Sequence, residues 1–247
     1  VFTAHEFYLS RESIFRFLEE MERGRDIIGS CYIPGGRSQA EIEELLKKEI
    51  SLPAIAGLPD LITTSKTGAA LFWRSARVLL MLPPFPLAGS YRGQGCLAEP
   101  LRVLLEKDYT IALVLLRLGA YAVGVCRGET LLTSKVGTGL VHQRHRQGGS
   151  SSSRFRRHRE KQIETFLTRV CAHIREHVEA YAKGIDYIVY GGSRTALLLL
   201  EKRCPFLEQF SNRALSPLLD IAEPCQPVLE KAVKRIWTTK VIEWQET

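Results

Sequence analysis

Arg146-Gln147-Gly148-Gly149-Ser150-Ser151-Ser152-Ser153-Arg154-Phe155-Arg156-Arg157-His158-Arg159-Glu160 joins a run of two glycines and four serines to a strongly basic segment. The glycines and serines supply nothing to a core, so they predict a loop. Downstream, Phe155, Ile163, Phe166, Leu167, Val170, Ile174 and Val178 recur at helical spacing and predict one long helix over 154–181 with an apolar face. The early arginines are expected to point away from that face. Arg144, Arg146, Arg154, Arg156, Arg157, Arg159 and Lys161, with His142, His145 and His158 among them, crowd positive charge around the loop and the helix start. Such charge opposes the helix dipole, and a polyanion relieves that cost. The pattern is a footprint for phosphates, and it points to RNA.

Before the loop, Ile111 to Leu118, Ala120 to Cys126 and Glu129 to Val136 are apolar runs parted by Gly119 and by Arg127-Gly128. They predict an antiparallel meander that ends in Val136-Gly137-Thr138-Gly139. After the long helix, Ile185 to Tyr190 predicts a buried strand, Thr195 to Lys202 a helix, Leu215 to Ile221 a strand, and Val228 to Trp237 a last helix. Gly191-Gly192-Ser193-Arg194 has two readings, a phosphate site at a helix N-terminus or a tight turn with Ser193 as cap. Its spacing matches neither a P-loop nor a dinucleotide fingerprint, which favours the turn.

Toward the N-terminus, Ser13 to Glu22 predicts a helix stopped at Gly24, and Asp26 to Pro34 a buried strand. Ser38-Gln39-Ala40-Glu41 has capping-box spacing and predicts a helix through Ile50. Residues 53–68 read as a helical segment interrupted near Pro59, and Arg77 to Leu82 as a short strand. The stretch from Phe85 to Glu106, rich in glycine over 88–95, is the expected connection between domains, with a helix from Glu99 to Lys107. Its Gly93-Gln94-Gly95 reads as an ordinary loop, since no basic helix follows. The fold class is thus α+β, with two α/β-type domains at 1–107 and 108–247. The second carries the meander, the Gly/Ser loop, the long basic helix and a β-α tail.

The chain of 247 residues, 45% hydrophobic and 25% charged, has the composition of a globular protein, and its formal net charge of +7 suits a polyanionic partner. Six cysteines stand singly, without zinc-ligand spacing, which predicts no metal, no disulfide framework and a reduced, cytoplasmic setting. The start has no signal-peptide pattern. The most apolar run, Ile111 to Cys126, is broken by Arg117 and Gly119 and is too short to span a bilayer, so no membrane association is expected.

Gly148-Gly149, then Arg154-Phe155, then an Arg-rich helix entering Glu160-Lys161-Gln162 resembles the middle domain of the eukaryotic and archaeal class I peptide-chain release factors, where a Gly-Gly-Gln loop precedes an Arg-Phe-Ala-Arg helix. The resemblance is closer to the Vms-like (ankyrin-repeat and zinc-finger type) release factors, the peptidyl-tRNA hydrolases of ribosome quality control. Residues 109–240 carry most of it, while 1–107 resembles the family's N-terminal domain more diffusely. One departure concerns the chemistry. The family's glutamine falls at Ser150 or Ser151 counted from the glycines, and at Ser152 or Ser153 counted back from Arg154-Phe155; serine stands at all four.

This resemblance implies hydrolysis of the peptidyl-tRNA ester in translation termination or ribosome quality control, with Gly148, Gly149, Ser150, Ser151, Ser152 and Ser153 as catalytic loop. It implies the large ribosomal subunit and peptidyl-tRNA as partners and no cofactor. Glycines let backbone approach a substrate closely, and a backbone N–H at the loop tip can bind a developing oxyanion, a contribution of roughly 3–4 kcal/mol where it has been removed elsewhere. Serine reaches less far than glutamine toward an attacking water. The alternative is a non-hydrolytic ribosome- or tRNA-binding factor. Weaker readings are a covalent serine, for which no acid partner or nucleophile elbow is evident, a plain flexible linker, and a nuclease, for which no metal cluster is present in the sequence.

Overall fold

The computed structural model describes residues 2–49, 55–141 and 152–246. In chain order, β1 (Phe2–Leu9) leads into α1 (Arg11–Gly24), whose cap Ser10 accepts a hydrogen bond from the Ser13 N–H. The helix stops at Arg25, in the left-handed region at φ 51°. After β2 (Gly29–Ile33), the capping box forms: the Glu41 N–H donates to Ser38 Oγ at 3.4 Å, and the Ser38 N–H donates to the Glu41 carboxylate at 2.8 Å. It opens α2 (Gln39–Glu49). In α3 (Leu58–Thr64), Pro59 lies in the first turn, where a missing N–H breaks no helical bond. Pro59 therefore opens this helix, where an interruption was expected.

There follow β3 (Ala69–Arg74), β4 (Arg77–Leu82), β5 (Tyr91–Gln94), α4 (Glu99–Glu106), β6 (Thr110–Arg117), β7 (Ala120–Arg127) and β8 (Thr130–Thr138). Next come α5 (Ser152–Val178), continued by a 3-10 turn at Glu179–Tyr181, then β9 (Tyr187–Gly192) and α6 (Arg194–Glu201). A 3-10 segment (Pro205–Arg213), β10 (Ala214–Leu219), α7 (Gln226–Ile236) and β11 (Thr239–Glu246) complete the order. The architecture is α+β with two sheets.

The chain divides into two units, Val1–Lys107 with Arg235–Thr247, and Asp108–Lys234. The first unit holds an antiparallel sheet in the order β1-β11-β4-β3-β2-β5. Ile42 of α2 and Leu58 and Ile62 of α3 pack with Ile33, Leu71, Leu80 and Ile242 of the sheet. Helices α1 and α4 bury Ile14, Leu18 and Met21, and Leu101 and Leu105.

The second unit holds a sheet in the order β10-β9-β6-β7-β8. Strands β6 to β8 form the antiparallel meander, turning at Gly119 (φ 101°) and Gly128 (φ 57°), where positive φ suits glycine. Strand β9 returns parallel to β6 after α5. Phe166, Leu167, Val170, Ile174 and Val178 of α5 are buried against Ala112, Val114, Leu116, Val123 and Val125 of the sheet. At about 1.5–3 kcal/mol for each buried side chain, this stripe outweighs the few tenths to about 1 kcal/mol that each cation at the helix start costs. The C-terminal half of α5, from Phe166 onward, therefore anchors a repulsive N-terminal end.

Four further expectations are corrected. The stretch 85–106 is no linker: β5 pairs with β2 from Tyr32↔Tyr91 to Gly29↔Gln94. An edge strand takes its stability from backbone pairing, so it needs no apolar alternation, and Gly93-Gln94-Gly95 is its end and the turn after it (Gly95 φ 73°). The segment 235–247, assigned by sequence to the second domain, belongs with the first, because β11 lies between β1 and β4. Cys171 and Cys204 form a disulfide, with Cα atoms 5.5 Å apart and a sequence separation of 33, where none was expected. Cysteine spacing does not reveal which helices will pack, and here α5 meets the end of α6; Cys31, Cys96, Cys126 and Cys225 stay as thiols. Finally, Phe155 is 56% exposed and does not join the apolar face of α5.

Candidate functional site

The chain leaves the meander over two glycines that have aromatic rings beneath them. A Cβ at Gly137 would lie 2.4 Å from Tyr121 Oη, and one at Gly139 would lie 2.5 Å from the Phe166 ring and 2.7 Å from the Arg169 guanidinium. Tyr121 and Phe166 meet edge to face, with centroids 6.0 Å apart. The Gly139 N–H donates to Gly119 O at 2.8 Å, and Arg169 donates to Thr138 O. The backbone is thus pinned to the sheet and to α5 as it departs. Leu140, the next residue, is 75% exposed.

The chain is described again from Ser152, the first residue of α5. Arg154, Phe155, Arg156, Arg157 and His158 are exposed, Arg159 is half-buried, Glu160 and Lys161 are exposed, and burial begins at Phe166. Arg156 precedes Ile163 by seven residues and Leu167 by eleven, so at 3.6 residues per turn it lies in phase with the apolar stripe. The expectation that all the early arginines point away from that face is corrected for Arg156. Its guanidinium meets solvent because no apolar side chain is buried this early in the helix. Cations therefore occupy most of the circumference of the helix start, and the first turn carries no acidic residue.

Charge is sorted by sign farther along. Glu164 pairs with Arg203 at 2.7 Å, and Glu160 lies 3.8 Å from Arg156. On the opposite side, Lys161, Arg169 and His158 line a groove of about 330 Å³ between α5 and the end of β8, together with Gln162 and Thr165. Its apolar wall is Leu140 and Phe166. Toward the C-terminal half of α5 the contacts are structural. His173 stacks on Tyr121 (5.8 Å) and pairs with Glu176 at 3.0 Å, and His177 bonds Thr133 at 2.7 Å. The hydrogen bond from His173, followed by the charges of His177, His173 and Lys135, holds the Glu176 carboxyl below its ordinary range.

Of the residues singled out by sequence, Arg154, Arg156, Arg157, Arg159 and Lys161 come together on the first three turns of α5, and Ser152 and Ser153 open that helix. Arg144, Arg146, Gly148, Gly149, Ser150 and Ser151, with His142 and His145, lie outside the described residues. The Gly191-Gly192-Ser193-Arg194 stretch is a turn and cap: Gly192 has φ 99°, the Ser193 N–H donates to Leu116 O at 2.8 Å, and Ser193 Oγ caps the Ala196 N–H at 3.4 Å. Among the described residues no group of three His, Cys, Asp or Glu side chains is placed to hold a metal, and no helix is long and apolar enough to cross a membrane. Sequence reasoning missed Gly139, Leu140, Gln162, Thr165 and Arg169. The helical part carried a usable signal, because 158, 161, 162, 165 and 169 fall on one face without a carboxylate.

Comparison with known proteins covers both units. Residues 109–242 match the family model described as Actinobacteria/chloroflexi VLRF1 release factor. Peptide chain release factor subunit 1 of Aeropyrum pernix is 23% identical over 270 aligned positions, which cover 96% of this chain and 71% of that protein. The protein of the same description from Archaeoglobus fulgidus is 25% identical, over 74% of this chain and 54% of its own length, so the match takes in about half of that relative. Among solved structures, an archaeal translation termination factor, aRF1, aligns over 92% of this chain and 73% of its own, with a TM-score of 0.39 and 17% identity.

Proposed function

The chain belongs to the Actinobacteria/chloroflexi VLRF1 release factor family, and on that premise we propose that it is a Vms-like factor that hydrolyses the peptidyl-tRNA ester on the large ribosomal subunit, in termination or ribosome quality control. The observation that carries this reading is the helix start itself. Five cations between Arg154 and Lys161 sit on turns with no buried side chain, just after the Gly/Ser run in sequence and next to a pinned strand end. A rigid basic mount for a loop suits delivery of backbone into a site walled by RNA phosphates. In this reading Gly148 to Ser153 is the catalytic segment, a loop whose last two serines, Ser152 and Ser153, are the first residues of α5, with serine where the family's glutamine stands. Arg144, Arg146, Arg154, Arg156, Arg157, Arg159 and Lys161 grip RNA. Residues 108–234 form the catalytic-loop domain and the remainder the N-terminal-like domain, and the protein works in the cytoplasm.

Backbone N–H groups at the loop tip stabilise the oxyanion without any side chain, and water positioning falls to a serine hydroxyl or to the RNA. The serines at 150–153 favour a second reading, a ribosome- or tRNA-binding factor that performs no hydrolysis. Single-turnover release of labelled peptide from peptidyl-tRNA on isolated large subunits separates the two. Comparison of the native protein with Gly149→Val and with glutamine placed in turn at 150, 151, 152 and 153 is expected to show native release that Gly149→Val lowers by about a hundredfold, the scale of losing one oxyanion donor. Release absent from the native chain but restored by one glutamine variant establishes the binding factor instead.

A further inference from the structure

We propose that the groove between the end of β8 and α5 is a subsite for one nucleotide of single-stranded RNA. It rests on the RNA-facing reading of α5 above and adds to it an address that the arginines alone do not supply. The volume of about 330 Å³ lies at the small end of ligand clefts, which run from about 300 Å³ upward. Lys161 and Arg169 supply cations for a phosphate, and Gln162 and Thr165 carry polar side chains for a sugar or base edge. Leu140, 75% exposed, supplies the apolar wall for a base face, with the rim of the Phe166 ring, only 3% exposed, behind it.

The charge sorting shows this to be more than a cationic surface. Among the described residues no carboxylate lines the groove, and Glu164 is paired with Arg203 at 2.7 Å. One side of the groove is held in place. Gly139 lies against Phe166 and Arg169 as only a glycine can, and Arg169 is held by Thr138 O. A base can enter only if it is unstacked, which a single strand provides and a duplex does not.

Thr165 and Ala172 are both exposed, lie seven residues apart on α5, and share a helix face, but only Thr165 lines the groove. Thr165→Glu and Ala172→Glu therefore add the same charge about 10 Å apart, beyond the Debye length of about 8 Å at 0.15 M salt. Binding of the full chain to a fluorescent octaribonucleotide is measured under those conditions, with a blunt RNA hairpin as competitor. The expected result is a loss of about tenfold or more for Thr165→Glu, the scale of one expelled stacked nucleotide, and less than about threefold for Ala172→Glu, with the octamer preferred over the hairpin. Equal losses for the two variants, or equal competition by the hairpin, with native binding intact, overturn the subsite and leave the RNA-facing reading standing. No binding of either RNA, and none to isolated large subunits, overturns both.

Discussion

At the scale of single residues, Gly137 and Gly139 fix how the chain leaves the meander. Their role depends on Tyr121 and Phe166 lying beneath them, and nothing in the local sequence names those partners. The basic start of α5 at Arg154, Arg156, Arg157 and Arg159, by contrast, was legible because it needs only its own neighbours. Gly139→Ala is predicted to lose about 1–3 kcal/mol by overpacking, since its Cβ would meet a buried ring at 2.5 Å. Gly184→Ala, whose nearest neighbour would be Tyr181 O at 3.7 Å, is predicted to be nearly neutral. Urea unfolding of the two variants beside the native protein checks the contrast; equal effects contradict it. Phe155 teaches the converse lesson. It fits the helical period, yet it is 56% exposed, because a period states which residues share a face and not how far along the helix the core extends.

At the scale of elements, the long helix, the meander and the capping box were legible, since each is encoded within a few turns of chain. Strands β5 and β11 were not. β5 is an edge strand of Tyr91-Arg92-Gly93-Gln94 with little to bury, and β11 follows a helix so closely that Val241, Ile242 and Trp244 pass as its tail. The Cys171–Cys204 disulfide is likewise a property of two elements, joining α5 to the end of α6 across 33 residues. Loop-closure entropy for such a span is about 3–4 kcal/mol. Reduction with a phosphine is predicted to lower hydrogen-exchange protection in α6 and in the 3-10 segment after it, and to leave β2, β3 and β4 unchanged. Cys171→Ser should show the lowered protection without reductant and no further response to it. Identical exchange in reduced and untreated protein contradicts the crosslink.

At the scale of the molecule, the chain builds most of one unit, crosses at 107 into the second, and returns at 235 to complete the first with β11. Two α/β-type bodies were legible from the changes of pattern, but the return was not, because β11 pairs with β1 through registers such as Phe2↔Glu246, and no local rule links the two ends of a chain. Both units also share an electrostatic property. Burial pushes the Cys96 thiol in the first up to about 11 and the Cys126 thiol in the second up to about 12, from an ordinary value of 9.0. It raises the Tyr109 phenol to about 12, and the Tyr32 and Tyr190 phenols also move upward. Each folded group holds its proton more tightly than the unfolded chain does. Their contribution is therefore fully present below the unfolded pKa and is lost as pH rises toward the folded one. The urea midpoint is predicted to stay level up to about pH 8.5 and then to fall steadily between about pH 9 and 12. Cys126→Ala should make that slope shallower by up to one proton whatever it does to stability at pH 7. A midpoint that stays level or rises above pH 9 contradicts the raised values as a set, and a slope unchanged in Cys126→Ala contradicts the raised value at Cys126.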